Sequence, residues 1–188
     1  MDKVSEAIMF ATEAHAATGQ MRKGVPVPYI VHPVEAAAIV ARMTQDMDVI
    51  AAAALHDVVE DTPCTVEDVQ SRFGARVAQL VAAESEDKRE DQPAADTWRE
   101  RKQEAIDHIR VCDDRDVKIV MLADKLSNMR SLRRDWLESG PAVWDRFNEK
   151  DPKNQRWYYE SLCDALECLA DTPEWREYRA LIDEVFAE

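Results

Sequence analysis

The spacing of apolar residues constrains the fold of this chain more than any other feature of its sequence. Near the N-terminus one stripe of side chains recurs every three or four residues, at Val4, Ile8, Ala11 and His15. That spacing matches one face of an α-helix. The 188 residues include only four glycines, and no segment shows the alternation of apolar and polar residues that is typical of a half-buried strand. The pattern therefore predicts an almost entirely helical chain.

Local signals divide the chain into helices joined by loops. Gly74 is typical of the residue that ends a helix, and Pro33 fits the first turn of one. Together with the apolar period, these signals predict helices over residues 3–18, 33–44, 47–60, 65–73, 75–84, 96–110, 115–134, 152–170 and 174–186. Residues 19–28 then form a loop that carries Arg22 and Lys23.

Length and charge narrow the classes of function. A chain of 188 residues with 46% hydrophobic residues suits one domain with a substantial core. The net charge of −14 argues against nonspecific binding of nucleic acid, and a polyanionic substrate would need local bases. Arg22 and Lys23 are the first candidates. Arg99, Arg101 and Lys102 form a second basic patch, for which an ordinary ion-paired helix face is the alternative.

The four cysteines indicate a reducing environment. They form no Cys-x-x-Cys pair and do not accompany the histidines at zinc-finger spacing. No apolar run reaches the roughly 18 residues of a membrane span, and the N-terminus does not resemble a signal segment. The sequence therefore predicts a cytoplasmic protein without a membrane span, and it leaves the oligomeric state open.

A dense group of ionisable residues follows the most apolar run of the chain, residues 49–55. His56 and Asp57 end this run, and Glu60 and Asp61 follow at the three-to-four spacing that places side chains on one helix face. Burying several carboxylates there is unfavourable unless a cation or hydrogen bonds compensate. A bound metal ion is the simplest compensation. The alternatives are a core histidine at His56 and a solvated helix end at Glu60 and Asp61.

A further acid, Asp124, lies within the apolar segment 117–132. An acid in such a segment needs a partner. Asn128 follows one helical turn later, so both side chains can face the same ligand. The structural alternative is that Lys125 pairs with a neighbouring acid while Asp124 caps or bridges.

Together with His32, the residues His56, Asp57 and Asp124 offer ligands for one divalent metal ion. Imidazole nitrogen and carboxylate oxygen suit borderline or hard ions, and the set lacks the thiolates typical of structural zinc sites. Two nitrogens and two carboxylates leave positions for water and substrate. The set therefore predicts a hydrolase.

Two further histidines are left outside the predicted site. His15 and His108 each lie on a predicted helix, away from any dense cluster of ligands. A packed or solvated ring is expected at both positions. His15, which precedes Gln20 and Arg22, is in addition a candidate for supporting the pocket.

The ligand set resembles that of the HD-domain metal-dependent phosphohydrolases. The resemblance is closest to the hydrolase domain of the RelA/SpoT family and its stand-alone small alarmone hydrolases. It is carried by residues 20–23, 28–33, 55–62 and 122–130 and runs from about residue 7 to residue 135. It implies a compact all-α HD-domain helical bundle at residues 1–135. A C-terminal helical extension, residues 136–188, is expected to pack on this core within a single structural domain.

Carried over position by position, the resemblance also implies roles. It assigns one divalent ion, of the manganese type, to His32, His56, Asp57 and Asp124. It assigns the hydrolytic water to Glu60 and Asp61, the nucleotide or its phosphates to Arg22 and Lys23, and the sugar to Asn128. The implied reaction removes pyrophosphate from the 3′ position of guanosine tetra- or pentaphosphate. A metal ion would lower the pKa of a bound water and neutralise phosphate charge.

Two departures from the family pattern bear on the substrate. Alarmone hydrolases usually carry a Val-Thr-Lys-like sequence near residues 81–92, where this chain has the acidic segment 84–88. Residues 125–127, Lys-Leu-Ser, replace a more usual Arg-Leu-His. Two alternatives therefore stay open: hydrolysis of another nucleotide, such as a nucleoside monophosphate or NADPH, and a noncatalytic nucleotide-binding module. Glu60 and Asp61 favour an enzyme, because a binding module needs no pair of water-activating acids.

Overall fold

Helices supply the regular structure of the computed structural model, which describes residues 1–86, 89 and 91–187. Within those residues the only strand-like pairing is an isolated antiparallel bridge between Met21 and Pro28. The predicted all-α fold is confirmed. In the same part of the chain, no helix has both the length and the apolarity that crossing a membrane requires. Asp87 and Lys88, of the acidic segment 84–88, lie outside the described residues.

The helices follow one another with short connections. The α-helices are α1 (Lys3–Ala17), α2 (Val31–Met43), α3 (Met47–Leu55), α4 (Val58–Asp61), α5 (Val66–Phe73), α6 (Ala75–Glu84), α7 (Ala94–Val111), α8 (Arg115–Ser139), α9 (Pro152–Ala165) and α10 (Pro173–Val185). The 3₁₀ helices Gly140–Arg146 and Glu167–Leu169 follow α8 and α9.

The chain divides into two units. The first comprises Met1–Ser85 and Asp114–Asp124, and the second comprises Glu86–Asp113 and Lys125–Glu188. The boundary between Asp124 and Lys125 therefore falls within α8. The predicted division into a core at residues 1–135 and an extension at residues 136–188 uses another boundary and remains a prediction.

Helix α3 forms the centre of the first unit. Residues 49–55 are all buried, and the alanines at 51–54 expose no surface. Helices α1, α2 and α6 pack against α3. Because alanine side chains are small, neighbouring helices can approach closely, and a helix that is apolar on all sides is stable only when it is covered. The apolar run of the sequence is therefore the core of this unit.

The predicted helix 47–60 is two helices in the structure. Helix α3 ends at Leu55, α4 begins at Val58, and His56 and Asp57 form the turn between them. Asp57 has φ −96° and ψ −3°, in the sparsely populated bridge region where many active-site residues lie. The continuous helical face expected for residues 56–61 is thus wrong, although the Asp61 amide still donates to the Asp57 carbonyl at 2.9 Å.

The second unit is held together by aromatic contacts. Trp98 of α7 contacts Trp157 and Tyr158 of α9, with ring centroids 6.4 and 6.0 Å apart, and Trp144 stacks on Phe186 at 5.4 Å. These are the edge-to-face and stacked geometries that aromatic pairs prefer. The aromatic residues of the C-terminal segment therefore have a packing role.

The second basic patch is paired within the second unit. Arg101 is buried and donates to Glu86 and Thr97, and Lys102 donates to Glu86 at 2.5 Å. The Arg99 guanidinium lies 3.2 Å from the centroid of the Trp157 ring. These contacts favour the alternative of an ion-paired helix face over a phosphate-binding patch.

Candidate metal centre

Three segments of the first unit bring four predicted ligands together. His32 is the second residue of α2, His56 and Asp57 form the turn between α3 and α4, and Asp124 lies in α8. His32, His56 and Asp124 are 2%, 1% and 6% exposed, so the cluster is almost closed to bulk water. One ligand atom from each of these three lies within 4.8 Å of the others, and the group could hold a metal ion.

The ligand atoms face one another at short distances. The two imidazole Nε2 atoms of His32 and His56 are 3.2 Å apart. The Asp124 Oδ1 atom lies 3.0 Å from His32 Nε2 and 3.6 Å from His56 Nε2. The Asp57 Oδ2 atom lies 2.8 Å from His56 Nε2 and 3.7 Å from His32 Nε2. All four side chains thus converge on one small volume.

These distances fit one divalent ion. Ligand atoms about 2.1 Å from an ion stand roughly 3.0 Å apart at adjacent octahedral corners and roughly 3.4 Å apart at tetrahedral corners. The nitrogen–oxygen and nitrogen–nitrogen distances of the cluster, from 2.8 to 3.7 Å, bracket both values. Two buried imidazole nitrogens that face each other also need a proton or a cation between them. The donor set therefore fits a metal ion in both chemistry and spacing.

Hydrogen bonds outside the cluster orient two of the ligands. His56 Nδ1 lies 2.8 Å from the Ala53 carbonyl oxygen, to which it donates, so Nε2 faces the cluster and offers a lone pair whenever the ring is neutral. The Tyr29 hydroxyl donates to Asp57 Oδ2 at 2.5 Å. Such partners fix the orientation of metal ligands and raise metal affinity.

Burial and charge move the pKa values within the cluster. Burial by itself lowers the pKa of His56, but the Asp57 and Asp124 carboxylates outweigh it and raise the pKa well above the usual value. At His32 burial dominates and lowers the pKa. Burial opposes ionisation of Asp57, yet the neighbouring His56 holds the pKa of that carboxyl below its usual range. Both carboxylates thus favour a positive charge within the cluster.

The predicted catalytic acids follow the cluster along the chain. Glu60 and Asp61 are the last two residues of α4, and both are half-buried. Asp61 Oδ2 accepts a hydrogen bond from Gln20 Nε2 at 2.7 Å. The negative charge of Asp61 also contributes to raising the pKa of Tyr29, after burial and Asp57. Asp61 therefore lies within electrostatic range of Tyr29, whose hydroxyl donates to Asp57, and its role toward water remains a prediction.

The predicted substrate contacts lie in different parts of the chain. Arg22 and Lys23 stand in the loop between α1 and α2, where the Arg22 amide donates to the Val27 carbonyl at 3.0 Å. The Arg22 guanidinium lies 5.7 Å from the centroid of the Tyr29 ring, within the range of a cation–π contact. Arg22 is thus next to a residue that contacts the cluster. Asn128 belongs to the second unit, and its predicted contact with the sugar remains a prediction.

Sequence patterns did not reveal two partners of the site. Tyr29 binds Asp57 across 28 residues, and Gln20 binds Asp61 across 41 residues. Both residues belong to the family-like segments 20–23 and 28–33. A neutral side chain in a loop gives no local signal of its own, and only its place within those segments could have singled it out.

Tyr29→Phe is expected to weaken metal binding by about 10- to 100-fold, because it removes the hydrogen bond that orients the Asp57 carboxylate. Burial and Asp57 raise the pKa of Tyr29, so its hydroxyl stays a donor over the neutral pH range. Titration of Mn²⁺ and Zn²⁺ against a competing fluorescent chelator measures the affinity. Tyr158→Phe, in the second unit, is the matched control. Equal affinities for Tyr29→Phe and the unchanged chain would contradict this role.

Comparison with known proteins identifies the family that this chain matches. The family model described as HD domain matches residues 7–151. The bifunctional (p)ppGpp synthase/hydrolase SpoT of Escherichia coli is 39% identical over 137 residues, which are 69% of this chain and 18% of SpoT. The guanosine-3′,5′-bis(diphosphate) 3′-pyrophosphohydrolase MESH1 of Danio rerio is 41% identical over 132 residues, 69% of this chain and 68% of MESH1. The chain thus corresponds to about a fifth of SpoT and about two thirds of MESH1.

Solved structures agree with this relationship. A structure described as a metazoan ortholog of SpoT that hydrolyzes ppGpp has a TM-score of 0.73 at 28% identity, over 99% of this chain and 94% of that one. The structure of lmo0812 from Listeria monocytogenes has a TM-score of 0.71 at 32% identity, over 86% of this chain and 97% of that one. The chain therefore belongs to the HD domain family and, within it, to the RelA/SpoT-type hydrolases.

Proposed function

We propose that this chain is a manganese-dependent hydrolase that removes pyrophosphate from the 3′ position of guanosine tetra- or pentaphosphate. The observation that carries the proposal is the buried group of His32, His56 and Asp124, which could hold a metal ion, with Asp57 Oδ2 2.8 Å from His56 Nε2. Relatives of about 40% identity that bear the name guanosine-3′,5′-bis(diphosphate) 3′-pyrophosphohydrolase support the substrate.

Manganese is proposed from the chemistry of the ligands. Two imidazole nitrogens and two carboxylates form a mixed nitrogen and oxygen set, which differs from the all-oxygen sites of Ca²⁺ and from the thiolate sites of structural zinc. Carboxylate oxygens suit Mn²⁺, and the resemblance to the RelA/SpoT-type hydrolases favours it over other ions that bind imidazole. A divalent ion held by these four side chains would keep coordination positions for water and substrate. A bound divalent ion supplies a water of lowered pKa and neutralises phosphate charge.

The chain itself has to manage a proton and orient the reacting groups. Water adds to the phosphorus that is attached to the 3′ oxygen, the bond between that phosphorus and the 3′ oxygen breaks, and pyrophosphate leaves. Glu60 or Asp61 accepts the proton of the water, since a carboxylate next to the cluster can act as a general base. The carboxylic acid formed in this way returns a proton to the 3′ oxygen as the bond to phosphorus breaks. The Tyr29 hydroxyl and the Ala53 carbonyl keep Asp57 and His56 in place throughout.

Substrate phosphates need positive charge that the chain as a whole does not provide. The net charge is −14, so long-range attraction of a polyanion is absent and contacts at the site have to supply affinity. The Arg22 guanidinium lies near the Tyr29 ring, and the Tyr29 hydroxyl donates to Asp57 of the cluster. Lys23 is the next residue of the same loop. We assign the phosphates to Arg22 and Lys23 and the sugar to Asn128.

Location and organisation complete the proposal. The four cysteines form no Cys-x-x-Cys pair in the sequence, which suits the reducing conditions of the cytoplasm. We therefore place the protein in the cytoplasm, with a phosphorylated nucleotide as its partner. We also propose that residues 1–135 form the HD-type core and residues 136–188 a helical extension within one structural domain.

A panel of substrates tests the proposed function. It contains guanosine tetraphosphate, the deoxynucleoside monophosphates and NADPH, each with Mn²⁺, with Zn²⁺ and after chelation, and phosphate and pyrophosphate release are measured separately. Pyrophosphate release from guanosine tetraphosphate that depends on Mn²⁺ is expected. Turnover of another nucleotide of the panel instead would mean that the same mechanism acts on that nucleotide. Bound metal without turnover of any member would favour a nucleotide-binding module.

A further inference from the structure

Two hydrogen bonds connect the buried His15 to the predicted catalytic acid Asp61. His15 Nδ1 lies 2.7 Å from Gln20 Oε1, and Gln20 Nε2 donates to Asp61 Oδ2, also at 2.7 Å. The chain of contacts therefore starts in α1, passes through the first residues of the loop that carries Arg22, and ends in α4. It lies wholly within the first unit.

The chemistry of the three groups fixes the direction of both bonds. An ionised carboxylate only accepts hydrogen bonds, so the amide nitrogen of Gln20 has to face Asp61. The amide oxygen of Gln20 then faces His15, and His15 has to donate from Nδ1. A carboxamide suits this position because it can accept from an imidazole at one atom and donate to a carboxylate at the other.

The surroundings hold this chain of contacts in one conformation. In the backbone, the Gln20 N–H donates to the His15 carbonyl at 3.2 Å, and the Gln20 carbonyl accepts from the Tyr29 N–H at 3.1 Å. His15 is 1% exposed, and its ring lies against Tyr29 with centroids 4.9 Å apart. Among the described residues, His15 Nε2 has no hydrogen-bond partner, so Gln20 is the polar contact that orients the ring.

The geometry points to Gln20 as a positioning residue for the Asp61 carboxylate, with His15 holding Gln20 in place. This inference rests on the proposed function, in which Asp61 acts on the hydrolytic water. Gln20 fixes the rotation of the carboxylate about its side-chain bond and keeps the Arg22 loop in register with α4. Because a misplacement of about 1 Å in a catalytic group can lower the rate by about 10²-fold, the effect is expected in kcat.

Gln20→Met tests the inference, since methionine has a similar length and makes neither hydrogen bond. We expect kcat for pyrophosphate release from guanosine tetraphosphate to fall by about 10- to 100-fold, with KM changed by less than about threefold. Gln70→Met, at an exposed position of α5, should leave both values unchanged. His15→Asn, whose amide nitrogen can replace Nδ1 as a donor, should retain more activity than His15→Leu.

A double-mutant cycle separates positioning from a merely structural role. If Gln20 acts through Asp61, then Gln20→Met should change kcat by less than about twofold in an Asp61→Asn background. The same loss of kcat in both backgrounds would overturn the inference. A Gln20→Met protein that is destabilised but has unchanged kcat would overturn it as well.

A spectroscopic measurement keeps this inference separate from the proposed function. Long-range ¹H–¹⁵N spectra of the Mg²⁺-supplemented protein should show His15 protonated at Nδ1. Gln20→Met and Asp61→Ala should both shift this signal, and Gln70→Met should not. If the unchanged chain releases no pyrophosphate while the spectra follow this pattern, the proposed function fails and the contacts from His15 to Asp61 stand. An unshifted signal in Gln20→Met and Asp61→Ala would overturn the positioning.

Discussion

Asp57→Asn is expected to abolish tight binding of manganese and release of pyrophosphate together. Asparagine keeps the size of the side chain, and its amide oxygen can still accept the hydrogen bond from Tyr29. The neutral amide is, however, a far weaker ligand than the Asp57 carboxylate and no longer balances the adjacent His56. Because even partners outside the ligand shell are worth about 10- to 100-fold in metal affinity, loss of a ligand should cost at least about 100-fold.

Metal content and thermal unfolding measure this loss independently of the substrate. The unchanged chain should retain about one equivalent of Mn²⁺ through gel filtration, and added Mn²⁺ should raise its Tm, since an ion that binds only the folded state stabilises it by about 2.7 kcal/mol at a hundredfold excess over Kd. Asp57→Asn should show neither effect. Asp145→Asn, at an exposed position, is the matched control. Full metal content and affinity in Asp57→Asn would remove Asp57 from the ligand set.

Much of the fold could be predicted from the sequence because helices leave local signals. The apolar residues 49–55 indicated the buried helix α3, and Gly74, with φ 96°, ends α5 where expected. The turn at His56 and Asp57 could not be predicted in this way. Both residues fit a continuous helix locally, and the contacts that hold them, from Tyr29 and from the opposing His32, come from elsewhere in the chain.

The residues of the site show the same limit: contacts between distant parts of the chain leave no local pattern in the sequence. No local pattern connects His32 with Asp124, which are 92 positions apart in the sequence, so resemblance to a family assigned them to one ion before the structure brought their atoms to 3.0 Å. The basic patch at Arg101 and Lys102 was ambiguous, because charge along a helix does not show whether an acid such as Glu86 lies opposite. Gln20 gave no signal of its own, since its two side-chain hydrogen bonds exist only in the folded chain.

Glu60→Gln and Asp61→Asn are expected to lower kcat by about 10²- to 10⁴-fold, the usual contribution of a positioned general base, while manganese stays bound. The amides keep the shape of each side chain but cannot accept a proton from water. Both acids belong to α4, beyond the turn that supplies His56 and Asp57, so neither replacement removes one of the four proposed ligands. Pyrophosphate release and metal content, measured on the same preparations, check this separation.

The comparison between the two variants then assigns the base. The acid whose amide variant has the lower kcat is the one that accepts the proton, and the other acid orients the water or the substrate. Asp61 is held by Gln20 in one orientation, which suits a group that has to meet the water at a fixed angle, so we expect the larger loss in Asp61→Asn. Glu67→Gln, exposed on α5, controls for the loss of one acid from the surface. If Glu60→Gln and Asp61→Asn lose metal as completely as Asp57→Asn does, the separation of ligands from water-activating acids is wrong, and all of these carboxylates serve the ion.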